Sequence, residues 1–169
     1  MNDAKMSDLT LEVLQQFRVI YGSMRQYFRL LEERCGLPGS QMWVLQEVAH
    51  EPGIGINDLA GRIGVHQSTA SLMVDKLVGA GLLYKTRSAR DQRRVGLELG
   101  EGGREVLSRL PGPAEGILPM ALSSLPVVAI KTLKINLDEL IAHLPGRDDA
   151  AAVVPLADQL GAVEERGGA

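Results

Sequence analysis

Two neighbouring clusters carry the most chemistry in this chain. Gln67-Ser68-Thr69-Ala70-Ser71 places short hydroxyl and amide side chains at the start of a helical pattern, followed by Leu72 and Lys76. Arg87, Arg90, Asp91, Arg93 and Arg94 then crowd one polar stretch. Short side chains at a helix start allow close approach to an anionic partner, where free N–H groups meet phosphate and Ser or Thr reaches base edges. Guanidinium groups suit a narrow groove of negative potential, and Asp91 is suited to orient one of them through a bidentate pair. Both clusters fit recognition of duplex DNA.

The charge distribution supports that reading. Between Asn57 and Arg94 lie seven bases (Arg62, Lys76, Lys85, Arg87, Arg90, Arg93, Arg94) against three acids (Asp58, Asp75, Asp91). The whole 169-residue chain is nonetheless net −3, with pI near 5.6, so the remainder is acidic. That excludes a histone-like polycation and fits one surface meeting a polyanion while the rest stays soluble. A solvated surface with no partner is the bland alternative for charge taken alone.

Catalytic constellations are poor. Gly100-Glu101-Gly102-Gly103 sits where a phosphate loop would, but it lacks the following Lys-Ser/Thr and carries a repelling Glu101. Glu47-x-x-His50 has the spacing of half a di-metal carboxylate site with no second copy. With His50, His66 and His143 the available imidazoles, no metal site, cofactor or enzymatic activity is expected. The single cysteine, Cys35, excludes an intramolecular disulfide and cysteine-rich zinc modules. An inert packed thiol is expected there, with thiol-based redox sensing as the alternative. The start MNDAKMSDLTLEV lacks a signal-peptide pattern, and Ile117 to Ile130 is too short and broken to span a bilayer, so a cytoplasmic protein without membrane association is expected.

Periodicity supplies the elements that must position these residues. Apolar residues at Leu9, Val13, Phe17, Ile20, Met24, Tyr27, Phe28 and Leu31 predict a long helix over 9–34, ended by Gly36 and Pro38. Ser40 is expected to cap a helix over 41–50, with Met42 or Trp43, Leu45 and Val48 inward. Ile56, Leu59, Ala60 and Ile63 form a short apolar stripe, Gly64 allows a sharp turn, and a longer helix follows from about Gln67 to Gly79. The period then changes to two through 82–87 and 95–99, a hairpin with a charged tip over 88–94. Helices over 103–110 and from Pro126 to about Leu144 follow; Ser124 is expected to cap the latter, whose apolar set is Val127 or Val128, Ile130, Leu133, Leu137, Leu140 and Ile141. Beyond Pro145 the Ala, Gly and acidic content suggests a tail, flexible or weakly helical near 156–163.

The segment 56–77 has the order of a helix-turn-helix. At roughly 100° per residue, Ala70, Met73, Val74 and Leu77 share one face, leaving Ser68, Leu72 and Asp75 opposite with Ser71 and Lys76 on the flanks. An Arg-rich ribbon directly after such a unit makes a winged helix, with the helix in the major groove and the tip beside the minor groove.

At these residues the sequence resembles the MarR family of bacterial transcription regulators. The match runs through Asp58-Leu59-Ala60, Gln67-Ser68-Thr69-Ala70-Ser71, Val74-Asp75-Lys76-Leu77 and Gly81-Leu82, then Asp91-Gln92-Arg93 and Leu99-Gly100-Glu101-Gly102-Gly103-Arg104. The resemblance implies a homodimer paired through its terminal helices, binding a pseudo-palindromic operator, usually as a repressor relieved by a small molecule or oxidant. It also implies an effector pocket near the first two helices, which Met24, Phe28 and Trp43 could line. The chain departs from the family pattern at Leu72, often Arg, which turns readout toward thymine methyls. It departs also at His66, often a better cap, and at Gly100, usually Thr.

The expected fold is therefore mainly α with a small two- or three-stranded β-wing: a winged helix-turn-helix over 40–102, a helical dimerisation region over 1–39 and 103–145, and a tail over 146–169. Gln67, Ser68, Thr69, Ser71 and Leu72 are expected in the major groove and Lys76 on phosphate. Arg87 and Arg94 are expected on the backbone, and Arg90 or Arg93 in the minor groove. A winged-helix protein-interaction module is the competing reading.

Overall fold

The computed structural model of the chain describes residues 2–87 and 95–161. α1 (Asn2–Cys35) is followed by α2 (Gly39–His50), α3 (Ile56–Ile63) and α4 (Gln67–Gly79). The strands β1 (Leu83–Arg87) and β2 (Val95–Leu99) lead to α5 (Glu101–Ser108), α6 (Ile117–Ser123) and α7 (Val127–Ala142). A 3₁₀ turn over Asp149–Val153 and α8 (Leu156–Gly161) complete the described chain.

The core lies where the amphipathic faces of α2, α3 and α4 meet the ribbon. Leu45, Val48, Leu59, Ala70, Val74, Leu77, Leu83 and Leu97 are all buried there, joined by Phe28 and Leu31 from the second half of α1. β1 and β2 pair antiparallel, with Leu83 opposite Leu99 and Arg87 opposite Val95. The third strand of the wing reduces to one bridge between Ile54 and Leu97, with Gly53 N–H donating to Leu97 O at 2.8 Å. Leu83, Leu97 and Leu99 point into the core while Tyr84, opposite Glu98 on the other face, stays exposed, as in a half-buried ribbon; Val95 shares the face of Leu97 and Leu99 but is exposed at the far end of β2.

Gly100 has a steric reason to be glycine. A Cβ there would lie 2.6 Å from Gly81 O, and one at Gly103 would lie 2.3 Å from Leu82 O. The close approach seats the start of α5 on the turn between α4 and β1, with Gly100 N–H donating to Leu82 O at 2.9 Å. Gly100 is the N-cap of α5 without a side-chain cap, as the sequence suggests, and packing is the reason for the glycine; α5 begins two residues earlier than its apolar pattern suggests.

Two expected caps are corrected. Ser40 lies inside α2, 4% exposed, and the N-cap is Pro38. Its hydroxyl donates instead to Asp158 Oδ1 at 2.5 Å. Ser124 closes α6 rather than opening α7: its Oγ donates to Ala121 O at 2.6 Å, and Pro126 occupies the N-cap of α7. The short helix expected near 156–163 is present as α8, and it is packed rather than loose. Ala157 and Leu160 of α8 are buried against α1 and α2, so 155–161 forms part of the folded body.

Outside that core the picture inverts. α1, at 34 residues about 51 Å long, carries Leu9, Leu11, Leu14, Phe17, Val19 and Ile20 exposed along its first half. α7 buries no side chain, although it carries Val127, Val128, Leu133, Ile135, Leu140 and Ile141. The chain exposes 11724 Å², where a compact monomer of 18.2 kDa exposes about 8,100 Å².

Candidate nucleic-acid interface and effector cleft

α3 and α4 are joined by Gly64, Val65 and His66. Gly64 takes the left-handed conformation at φ 69°, which L side chains rarely adopt, and so turns the chain sharply. Val65 drops into the core, and Val65 N–H donates to Ala60 O at 3.0 Å. His66 then starts α4 with extended backbone and no side-chain cap. The first-turn N–H groups of α4 thus have no capping side chain, which leaves a helix start suited to an anion.

The outward face of α4 is the one its periodicity predicts. Gln67, Ser68, Leu72 and Lys76 are exposed, Thr69 and Ser71 half-buried, and Ala70, Met73, Val74 and Leu77 buried. Leu72 is 66% exposed, a large apolar side chain held in water at the middle of a polar face. Such exposure has no packing reason among the described residues, and it suits contact with thymine methyls.

One contact was not anticipated from the sequence. Lys85 Nζ of β1 donates to Asp75 Oδ1 of α4 at 2.8 Å, tying the ribbon to the free face of the helix. Arg62, counted among the basic residues, bonds Glu47 at 3.4 Å and also pairs with Glu51, which fastens α3 to α2. Two bases of the cluster are thus spent within the fold. Lys76 and Arg87 remain exposed, and neither pairs with an acid among the described residues. Arg90, Asp91, Arg93 and Arg94 lie outside the described residues.

Glu47 and His50 do not assemble a metal site: no group of three His, Cys, Asp or Glu suited to a metal occurs among the described residues. Glu47 instead accepts from Trp43 Nε1 at 3.3 Å and from Arg62. Cys35 is 4% exposed at the end of α1. Burial pushes its thiol above the ordinary range, outweighing the opposing pull of Arg109 and Arg34, so the reactive thiolate is disfavoured.

Of the three residues expected around an effector pocket, Phe28 and Trp43 line one cleft, whereas Met24 packs against the core without lining it. Phe28 and Trp43 line a cleft with Gly39, Ser40, Glu115 and Ala157. About 10 Å³ of space remains in it, barely room for one water. Tyr27 O–H closes the neighbouring wall by donating to Pro113 O at 2.9 Å. Burial, then the nearby Glu115 and Cys35, push the Tyr27 phenol upward. Sequence reasoning missed Gly39, Ser40 and Ala157 because they belong to segments far apart in the chain and only packing joins them.

A helix-turn-helix whose second helix stands free beside a paired ribbon is a winged helix, the class this chain's fold defines. Residues 37–95 match the model of the MarR family. A transcriptional repressor of Bacillus subtilis, MdtR, is 28% identical over 101 residues, which cover 60% of this chain and 63% of that one. Two solved structures share the fold. S. aureus MepR, as a mutant bound to an oligodeoxyribonucleotide, is 23% identical with TM-score 0.51, covering 79% of this chain and 98% of that one. A mutant MarR from E. coli, complexed with operator DNA, is 22% identical with TM-score 0.51, covering 77% and 96%. Over its reading unit the chain is thus similar to the MarR family. Its matches to curated relatives span 63% and 53% of their lengths.

Proposed function

We propose that the chain is a sequence-specific DNA-binding regulator of transcription, not an enzyme, that acts as a homodimer on a pseudo-palindromic operator. The single observation that carries this reading is the free face of α4: Gln67, Ser68, Leu72 and Lys76 stand exposed on a helix whose opposite face is fully packed. In this reading Gln67, Ser68, Thr69, Ser71 and Leu72 meet base edges. Lys76 and Arg87 meet phosphate, and the arginines of the wing tip reach the adjoining minor groove.

The dimer follows from surface. The apolar first half of α1 and the apolar face of α7 stand exposed among the described residues, surface of the kind an obligate interface covers. Pairing there would hold two α4 helices about 34 Å apart, one turn of DNA. No helix among the described residues is long and apolar enough to cross a membrane, in keeping with a cytoplasmic site of action. Repression relieved by a small molecule would require the cleft at Phe28 and Trp43, closed in this structure, to open.

The test is selection of bound duplexes from a random library, followed by stoichiometry and footprinting. Two chains per duplex, with protected half-sites one helical turn apart, are expected. No enrichment in dilute buffer would overturn the reading.

A further inference from the structure

We propose that residues 155–161 form a detachable strap that closes the cleft between α1 and α2. Three side chains of this segment point inward: Pro155, Ala157 and Leu160. Ala157 seats on Gly39, where an added Cβ would lie 2.8 Å from Ala157 Cβ and 2.9 Å from the Phe28 ring. Gly39 is therefore the notch that admits the strap. Ser40, the buried polar residue among those described, donates its hydroxyl hydrogen bond to Asp158 at 2.5 Å. A buried hydroxyl satisfied from a segment 118 residues away marks a built seat rather than a chance contact.

The hold is nonetheless local. α8 has six residues, too few to be stable as a helix on its own, and it touches α1 and α2. Residues 143–150 before it are exposed throughout. Gln159 Nε2 donates to Ala151 O and Val154 O, both at 2.9 Å, so the 3₁₀ turn and α8 move as one piece. Release of that piece leaves the packing of α3, α4 and the ribbon intact, and it opens the cleft beside Phe28 and Trp43. Docked strap and small apolar guest exclude each other there; that competition rests on the effector reading, whereas the strap itself does not.

The experiment uses the full chain without DNA or ligand. Hydrogen exchange reads strap opening, and acrylamide quenching of Trp43, the single tryptophan, reads the cleft. The amides of 156–161 are expected to exchange on the order of a hundredfold faster than those of Leu45 to Val48. Ala157→Arg, too large for the notch, should raise Trp43 quenching several-fold while exchange in α2 and α4 stays unchanged. Ser40→Ala should raise strap exchange more mildly. Strap amides that exchange together with α2, an Ala157→Arg chain that loses its cooperative fold, or unaltered Trp43 quenching would each overturn the proposal.

Discussion

α4 and α7 are both amphipathic helices of similar length, yet α4 buries Ala70, Met73, Val74 and Leu77 while α7 buries none of its apolar residues. The difference lies in what the chain can offer each face. α4 meets α3, α2 and β1 within one compact unit. α7 follows a short α6 and a proline entry and projects its Val, Ile and Leu side chains into solvent. Apolar periodicity thus states which face needs cover, not whether the cover comes from the same chain. In α4 the informative surface is the polar face left over, and in α7 it is the apolar one.

The largest effect should come from breaking α7. Leu133→Arg combined with Ile141→Arg would place four charges in the proposed two-fold interface, where each leucine or isoleucine covered by the partner would contribute about 1.5–3 kcal/mol. Sedimentation should show monomers, and affinity for a two-half-site duplex should fall by roughly three orders of magnitude or more, since each 1.4 kcal/mol is tenfold. A dimer that survives both changes would mean that α7 is not the contact surface. Next comes the core of the reading unit. Leu77→Ala should cost about 2–5 kcal/mol in denaturant unfolding, because Leu77 is fully buried and its neighbours cannot collapse freely.

Smaller effects sharpen the role of the free face. Leu72→Ala should leave stability within about 0.5 kcal/mol, as expected for an exposed position, while relaxing base preference at one operator position by about 1–3 kcal/mol. Unaltered preference in a selection experiment would remove Leu72 from the readout. Lys85→Ala, which breaks the pair with Asp75, should cost roughly 0–1 kcal/mol, because both side chains are well exposed and solvent screens the pair.

A last contrast is in pH. Cys35 and Tyr27 are both raised above their ordinary values of 9.0 and 10.0, chiefly by burial. The folded state therefore holds their protons more tightly than the unfolded chain. The stability this contributes is complete below pH 9 and is lost as pH rises through the raised folded values. Denaturant midpoints should be level between about pH 7 and pH 8 as far as these groups act and decline at alkaline pH; Cys35→Ser should remove part of that decline.

Much of the reading unit was legible because local chemistry decides it. Gly64 and Gly81 punctuate the helices, and the stripes Leu59, Ala60, Ile63 and Ala70, Val74, Leu77 leave one way to pack, so α3 and α4 fall where periodicity puts them. The long helix was legible as well, although its start lies earlier than Leu9. Positions decided by distant partners were not. Ser40 reads as a cap until Asp158 arrives from the far end of the chain. Gly100 reads as a poor cap until Gly81 O and Leu82 O are seen pressing on it. The segment 155–161 reads as a loose tail because its inward residues are few and small, and only the notch at Gly39 makes Ala157 a good fit. On α4, periodicity gave the exposure of Ser68, Leu72, Asp75 and Lys76, with Thr69 and Ser71 half-buried, whereas the Asp75–Lys85 tie was not legible, since helix and strand meet only once folded.

The most direct measurement of the central claim is the salt dependence of binding to a selected duplex, for the parent chain and for Lys76→Ala. With α4 in the major groove and Lys76 on phosphate, log Kobs should fall steeply with log salt, and the substitution should flatten that slope by about one unit for each phosphate no longer neutralised. Binding that is absent at low salt, or a slope that Lys76→Ala and Arg87→Ala both leave unchanged, would contradict the account.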